Sequence, residues 1–386
     1  MAGSGAGVSR QGLRKAWLKV HRWVALALMV LLIPLGLSGV VLAWDDAIDQ
    51  AINPQRYAIS GTATLAPSAY IAAARATLGP DERVSMLRYP DKDGPVTLMA
   101  TTVPKDKGVR HQGGQAGPPK RVTLWLDPPS ARMLDRESGD GGLVRLAHAI
   151  HGNMLLPAFG RAVVGCLGVA MFLLAGSGVW LWWPPMGRWV RGLRWGRGDR
   201  RLDTNLHHTI GFWIALPLAA QAFTGAWIAW PQMIAMVGLG GPAANRPRPT
   251  PLAIPNLAPD AALAAARALT PGAPIAIAWP TTGKDGAWRV TLDTAKGSSD
   301  IGVDDATGAA KLAKKREGGG LADAVRRLHD GRTLGFYWRM VMVLIGLSPT
   351  MLGITGLLMW LRGRRWRTRK PVRRAPVPAE VESVSA

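Results

Sequence analysis

Four of the seven histidines in this chain are related in pairs by an internal repeat. A sequence offset of 186 superimposes His207 on His21, and an offset of 178 superimposes His329 on His151. The neighbouring residues align as well, since "GLSGVVLAW" matches "AFTGAWIAW" in the first pair of segments. Such self-similarity predicts two copies of one structural unit. It selects these four histidines as candidate functional residues.

Paired imidazoles of this kind suit the two axial positions of a haem iron, because each neutral ring offers one nitrogen and no other soft ligand aligns with them. A parallel repeat places His21 and His207 in one layer and His151 and His329 in another. The simplest prediction is therefore two b-type haems, one in each layer, with these histidines as axial iron ligands. A zinc or copper site, and histidines that only face headgroups or cap helices, remain alternatives.

Residues beside the histidines extend the candidate site. Arg161 and Arg339 each follow a paired histidine by ten residues and are candidates for pairing with haem propionates or for interfacial anchoring. His148 and His208 lie next to the expected ligands and could replace them, whereas His111 lies in a Gly/Pro-rich loop and is not expected to form a site. Small-residue dipeptides at aligned positions are predicted to allow close helix approach or to leave room for a flat macrocycle; they are Ser38-Gly39, Ser177-Gly178, Thr224-Gly225 and Thr355-Gly356.

Four uncharged runs define the elements that must position these residues. Each has about 20 residues, the length that a helix needs to cross a hydrocarbon core of about 30 Å, and each has Trp at or near its end, as at a membrane interface. The chain contains 17 Trp and 48% hydrophobic residues, with a net charge of +22. Because the basic residues bracket the apolar runs, we expect a lipid bilayer as partner and no nucleic acid. The runs are 23–44, 162–183, 209–230 and 340–361.

The basic clusters predict an orientation. They lie before the first run, between the second and third, and after the fourth, and Lys and Arg are retained on the cytoplasmic side. Both termini are therefore predicted to be cytoplasmic, in a multi-pass protein of a bacterial inner membrane with two long periplasmic segments. A cleaved signal peptide is the less favoured alternative, because the first run is longer than a signal core. Cys166 is the only cysteine, which excludes a Cys-x-x-Cys-His site for covalent haem.

The two long outer segments also repeat. "APSAYIAAARATLGP" resembles "APDAALAAARALTPG", and each precedes alternating strands such as "RVTLWLD" and "AWRVTLD", which predicts small α+β modules. The predicted fold is a membrane protein with an all-α four-helix transmembrane bundle, built from a tandem parallel two-span repeat, with two small α+β extracytoplasmic modules. The predicted segments are a basic N-terminus 1–22, helix 23–44, module 45–145, an outer haem-side segment 146–161 that breaks near Pro157, helix 162–183, basic loop 184–206, helix 207–230, module 231–325, a second haem-side segment 326–339, helix 340–361 and a basic tail 362–386 with a disordered end.

The chain resembles the PepSY-associated transmembrane family over nearly its whole length. The residues that carry the resemblance lie in "HRWVALALMVLLIPLGLSGVVLAW", "HGNMLLPAFGRAVVGCLGVAMFLLAGSGVWLWWP", "LHHTIGFWIALPLAAQAFTGAWI" and "LHDGRTLGFYWRMVMVLIGLSPTMLGITGLLMWLRGR". The family includes iron-regulated inner-membrane proteins and periplasmic ferric-siderophore reductases, and the outer modules are similar to PepSY domains. The resemblance implies an inner haem on His21 and His207 and an outer haem on His151 and His329. They would carry electrons from a cytoplasmic or quinol donor to iron(III) in a siderophore.

Two functions from different classes follow. An electron-transfer oxidoreductase would reduce periplasmic ferric-siderophore complexes to iron(II), which hard oxygen ligands hold less tightly. A non-catalytic membrane anchor whose modules bind or regulate a periplasmic protein or protease is the alternative. A transporter is disfavoured because no apolar run carries Asp, Glu or Lys, and the absence of a Gly-rich dinucleotide motif predicts no NAD(P)H or flavin site.

Overall fold

The computed structural model describes residues 10–90, 93–103, 120–139, 141–156, 159–183, 201–236, 249–282, 286–295, 297–313, 320–331 and 334–368. The helices in these ranges are α1 (Arg10–Ala43), α2 (Asp45–Ile52), α3 (Pro67–Arg75), α4 (Leu143–Asn153), α5 (Gly160–Trp182), α6 (Leu202–Met236), α7 (Pro259–Leu269), α8 (Leu321–Asp330) and α9 (Gly335–Thr368), with a 3₁₀ helix at Pro54–Tyr57. The strands are β1 (Glu82–Arg88), β2 (Val96–Thr102), β3 (Arg121–Leu126), β4 (Met133–Ser138), β5 (Ala273–Ala278), β6 (Ala287–Thr294), β7 (Gly297–Asp304) and β8 (Ala310–Leu312).

Four of the described helices, α1, α5, α6 and α9, are long and apolar enough to cross a membrane, which confirms the four predicted spans. Helix α1 begins at Arg10 instead of residue 23, because Leu, Arg and Lys favour helix and carry it past the apolar run. Helices α6 and α9 also extend beyond the predicted bounds. The candidate spans are Gln11–Ala43, Gly160–Trp182, Leu202–Pro231 and Gly335–Arg364.

The four long helices pack together as a bundle through close crossings at small residues. Helix α1 packs on α9, where a methyl group built on Gly346 would lie 2.8 Å from Gly36 O. Helix α5 packs on α6, where a methyl group built on Gly168 would lie 3.0 Å from Ala222 O. Because lipid offers little hydrophobic drive for helices to associate, such close backbone packing is what holds a membrane bundle together.

The eight described strands form one antiparallel sheet in the order β4-β3-β2-β1-β5-β6-β7-β8. The sequence predicts two small modules, and in the structure their strands meet through the pairing of β1 with β5. In that pairing Met86 lies opposite Ala278, and Arg88 lies opposite Ala276. The two outer segments therefore contribute to a single sheet.

Helices α3 and α7 cover one face of this sheet. Strand alternation places Val96, Leu98 and Ala100 of β2 on the covered face, where they are fully buried. Ala74 of α3 and Ala262 of α7 are also fully buried, and their small side chains let the helices lie close to the strands. The second half supplies the rest of the same core, including Ile277, Trp288, Val290, Leu292, Ile301 and Val303.

A buried carboxylate anchors the chain ahead of each covering helix. Asp127 accepts hydrogen bonds from the backbone N and the Oγ of Ser60, at 2.7 and 2.6 Å. Asp305 accepts hydrogen bonds from Asn256 N at 2.9 Å and from Trp288 Nε1 at 2.8 Å. Without such donors a buried carboxylate would be strongly unfavourable, so these bonds fix the course of the segments that precede α3 and α7.

Some predicted features lie outside the described residues. They are the loop around His111, the break near Pro157, most of the basic loop and the end of the basic tail.

Candidate functional site

The candidate histidines lie at the two ends of the bundle. The sheet end is where α1 ends at Ala43 and α5 begins at Gly160, and the far end is where α5 ends at Trp182 and α6 begins at Leu202. Helix α4 packs on α1 and places His151 at the sheet end, and α8 packs on α6 and places His329 there. His21 and His207 lie towards the far end, within α1 and α6.

The ring of His151 rests on Ser38 and Gly39 of α1. Its Nδ1 lies 3.0 Å from Leu35 O and 3.3 Å from Ser38 Oγ. Ser38 Oγ donates its own proton to Leu35 O at 2.8 Å, so it meets the histidine as an acceptor. A carbonyl oxygen can only accept, and Nδ1 is therefore the protonated ring nitrogen.

The other three histidines bind in the same way to the other small-residue dipeptides. We call each hydroxyl residue with its following glycine a histidine seat. The Nδ1-to-hydroxyl distances are 2.7 Å for His21 on Ser177, 3.0 Å for His207 on Thr355 and 3.0 Å for His329 on Thr224. Each hydroxyl also donates to a carbonyl on its own helix, namely Ser177 to Leu174 O at 2.9 Å, Thr224 to Gln221 O at 2.9 Å and Thr355 to Met351 O at 2.7 Å.

The seats leave Nε2 of each histidine available to a ligand. In the part of the chain that the structure describes, the four rings use Nδ1 for their hydrogen bonds, and Nε2 then carries the lone pair of a neutral ring. A metal-bound histidine normally donates its second N–H to an oxygen in this manner, which fixes the tautomer and the ring orientation. The sequence predicts that these dipeptides allow close helix packing or leave room for a macrocycle. In the structure they also hold the histidines through Nδ1, a role that sequence reasoning missed.

The glycine of each seat provides the space for the ring. A methyl group built on Gly39 or Gly225 would lie 3.1 or 3.0 Å from the histidine Cε1. The corresponding distances for Gly178 and Gly356 are 3.6 and 3.4 Å, which is ordinary contact. The rings at the sheet end therefore fit their seats more tightly than the rings at the far end.

At the sheet end the two histidines face each other across the bundle. The ring centroids of His151 and His329 are 6.1 Å apart, with their planes at 47°. Burial lowers the pKa of His151, and burial together with the neighbouring His151 lowers the pKa of His329 to about 4. Both rings are therefore neutral at pH 7, the state in which imidazole binds a metal.

At the far end the two histidines line one cavity between the four long helices. The cavity has an empty volume of about 1130 Å³, open space at its mouth included, and both His21 and His207 face it. Its other walls are mainly apolar and include Met29, Met171 and Gly353. On the scale used for known ligand pockets, which have volumes of roughly 300–1,000 Å³, the cavity measures about 200 Å³, so a large flat molecule enters only if the helices move apart.

The two pairs are separated by most of a membrane thickness. Ser38, which holds His151, follows His21 on α1 by about five helical turns, and Thr224 follows His207 on α6 by the same interval. At a rise of about 1.5 Å per residue this interval corresponds to about 26 Å along the helix axis. This separation is close to the thickness of a bilayer's hydrocarbon core, which is about 30 Å.

The remaining predicted residues lie around these pairs. His148 is exposed, with its Nδ1 3.0 Å from Val144 O in its own helix, whereas His208 also lines the far-end cavity. Arg161 is exposed in the first turn of α5, and the Arg339 guanidinium lies 5.7 Å from the ring centroid of Trp44. The structure thus brings His151, and not His148, against His329, while both His207 and His208 face the cavity.

An ion-pair network that the sequence did not predict connects the sheet with α4. The guanidinium of Arg56 contacts Asp49 at 2.7 Å, Asp135 at 2.6 Å and Glu137 at 3.0 Å, and its side chain is only 9% exposed. Glu137 is also 3.5 Å from Arg145 Nε, on the helix that carries His151. The pairs of Arg56 with Asp135 and Glu137 join residues far apart in sequence, and no local pattern identifies them.

These features define a four-span membrane protein with an antiparallel sheet at one end and four histidine seats. A model of one family, described as the PepSY-associated TM region, matches residues 18–363. The chain belongs to this family, which confirms the resemblance seen in the sequence. No curated protein matches the chain.

Proposed function

We propose that this protein is an electron-transfer protein of the bacterial inner membrane that holds two b-type haems and reduces periplasmic iron(III), as ferric-siderophore complexes, to iron(II). The observation that carries the proposal is the repeated seat. Four imidazoles, each held through Nδ1 with Nε2 available, are arranged as two pairs at opposite ends of the bundle.

The histidine pair at each end fits the iron of a haem. Facing nitrogens on one metal lie about 4 Å apart, since each metal–nitrogen bond is about 2 Å long, and the 6.1 Å centroid separation of His151 and His329 accommodates such a gap. At the far end, His21 and His207 share an apolar cavity, with His208 as an alternative to His207. A bound b-type haem supplies one-electron transfer at its iron. The chain would supply the Nε2 nitrogens that bind the iron and, at the far end, apolar walls that exclude water.

The structure's internal symmetry supports a tandem parallel duplication. The offset of 186 that relates His21 to His207 also relates Gly36 to Ala222, and the offset of 178 relates Gly168 to Gly346. These residues form the two close crossings of the bundle, α1 with α9 and α5 with α6. The buried anchors Asp127 and Asp305 obey the same offset of 178. A two-fold axis along the membrane normal would relate the halves and place two histidines in each layer.

The charge distribution gives the proposed direction of electron flow. Basic residues at the start of α1, such as Arg14 and Lys15, and near the end of α9, such as Arg362 and Arg364, lie at the far end, so it is assigned to the cytoplasm. The sheet is then periplasmic. His21 and His207 would hold the haem nearer a cytoplasmic or quinol donor, and His151 and His329 would hold the haem nearer an acceptor beside the sheet. Each iron(III) accepts one electron, and the resulting iron(II) is held less tightly by siderophore oxygens.

A spectroscopic and kinetic experiment tests the proposal. The purified protein is reduced with dithionite, freed of excess reductant and mixed with a ferric trihydroxamate complex, while haem absorbance and iron(II) captured by a chromogenic chelator are followed. We expect the reduced b-haem bands to disappear as iron(II) forms, with one iron(II) per haem oxidised.

The alternative function gives a different result. A non-catalytic anchor that binds a periplasmic protein or protease would be colourless when expressed with ample haem. If the haem stays reduced after the ferric complex is added, the proposed haem sites stand but the proposed acceptor is wrong.

A further inference from the structure

We infer that the seat hydroxyls, Ser38, Ser177, Thr224 and Thr355, are positioning residues that hold the four histidines in the Nδ1–H tautomer and aim Nε2 at the ligand. The inference rests on the proposed function for the identity of the ligand. The tautomer it assigns is a property of the protein alone.

The argument starts from the hydroxyl proton. A serine or threonine has one proton to donate and two lone pairs. Within a helix that proton is commonly donated to a carbonyl three or four residues earlier, as in all four seats, at 2.7–2.9 Å. The hydroxyl oxygen is then an acceptor facing the ring, and a neutral histidine satisfies it only through Nδ1–H.

Burial strengthens the preference for the Nδ1–H tautomer. Ser38, Thr224 and Thr355 are 4–5% exposed, so little water is available to replace a lost hydrogen bond. With the opposite tautomer, Nδ1 would present a lone pair to the hydroxyl oxygen and, for His151, to Leu35 O as well. Two acceptors would then face each other in an apolar environment, which is unfavourable.

The consequence for a bound metal is electronic as well as geometric. Donation from Nδ1–H to an oxygen increases the basicity of Nε2 and fixes the ring, and removal of such a partner from other metal sites typically lowers metal affinity 10–100-fold. Each seat should therefore strengthen its haem site by a similar factor. The same bond should stabilise the oxidised iron and lower its reduction potential.

The chain offers a matched control. Ser348 is buried in α9 and donates to Ile345 O at 2.7 Å, as the seat hydroxyls do, and it is not part of a histidine seat. Ser348→Ala therefore removes the same helix hydrogen bond without touching a histidine. Thr224→Ser retains the hydroxyl and Thr224→Val removes it at nearly constant volume.

The first experiment records long-range proton–nitrogen NMR spectra of haem-free, histidine-labelled protein, which report the protonated nitrogen of each ring. We expect Nδ1–H for the four seated rings, and loss of that signature for one ring in Thr224→Val but in neither Thr224→Ser nor Ser348→Ala. Nε2–H rings in the unchanged protein, or an unaltered spectrum in Thr224→Val, would overturn the inference. Neither outcome depends on haem.

The second experiment measures haem transfer from the loaded protein to apomyoglobin and the midpoint potentials of the two haems. Thr224→Val should release the sheet-end haem 10–100 times more readily and raise its potential, with Thr224→Ser close to the unchanged protein. Equal losses in Thr224→Val and Ser348→Ala would mean that the hydroxyls only support the helices. A chain that binds no haem would overturn the proposed function while the NMR result still decides the tautomer.

Discussion

The two ends of the bundle use the same histidine seats but separate their histidines differently. At the sheet end His151 and His329 lie 6.1 Å apart on seats whose glycines leave no spare room. At the far end His21 and His207 line an apolar cavity of about 200 Å³ and their seats are looser. The two adjacent residues of a seat thus determine which nitrogen of the histidine is available. The packing of the helices determines how much space lies between the two histidines of a pair.

The supports of the two ends also differ. His151 and His329 lie on the short helices α4 and α8, so their positions depend on structure outside the long helices. His21 and His207 belong to the long helices themselves. Changes that disturb the sheet should therefore affect the sheet-end pair first and leave the far-end pair in place.

The largest expected effect comes from removing one pair of histidines. His151→Ala with His329→Ala should eliminate one of two haems per chain, and His21→Ala with His207→Ala should eliminate the other, because each pair is proposed to hold the iron of one haem. Haem per chain is measured by pyridine haemochrome, with the exposed His148→Ala as control. Loss of both haems from either double variant, at normal yield of folded protein, would contradict two independent sites.

The next effect concerns the network around Arg56. Arg56→Gln leaves Asp49, Asp135 and Glu137 without their shared cation, and breaking a buried ion pair costs about 3–5 kcal/mol in the free energy of unfolding. Urea denaturation followed by the circular dichroism of the sheet measures this loss. Because Glu137 also contacts Arg145 of α4, the sheet-end haem should be lost before the far-end haem.

Arg136→Gln is the matched control for that variant. Arg136 pairs with Glu82 at 2.8 Å but is one-third exposed, and such pairs contribute about 0–1 kcal/mol. Equal destabilisation by the two substitutions would show that burial of Arg56 has no special consequence.

The smallest effect distinguishes the two kinds of seat. Gly39→Ala and Gly225→Ala place a methyl group 3.1 and 3.0 Å from a ring carbon, and such overpacking costs about 1–3 kcal/mol. Gly178→Ala and Gly356→Ala, at 3.6 and 3.4 Å, should cost less than about 0.5 kcal/mol. Haem transfer rates measured for the four variants should fall into two groups, and a single group would remove the distinction between the ends.

Much of the fold and the identity of the candidate histidines could be predicted from sequence. Apolar runs of membrane length identify helices directly, and the repeat selects His21, His207, His151 and His329 because both members of each pair are histidine. The pairing of β1 with β5 could not be predicted, since it joins strands that are far apart in the chain and belong to different halves of the repeat.

The same limit applies to the seats. Ser38 and Gly39 are visible as small residues, but their role depends on His151, which arrives from another helix. A local pattern identifies which residues are unusual, and only the fold identifies what they contact.

The most direct test of the account is the ratio of haem to chain in the detergent-purified protein expressed with ample haem. We expect a b-type difference spectrum and a ratio near two, because each of the two pairs of seated histidines is proposed to hold one haem. A ratio near one would contradict the equivalence of the two ends, and a colourless protein would contradict the electron-transfer function itself.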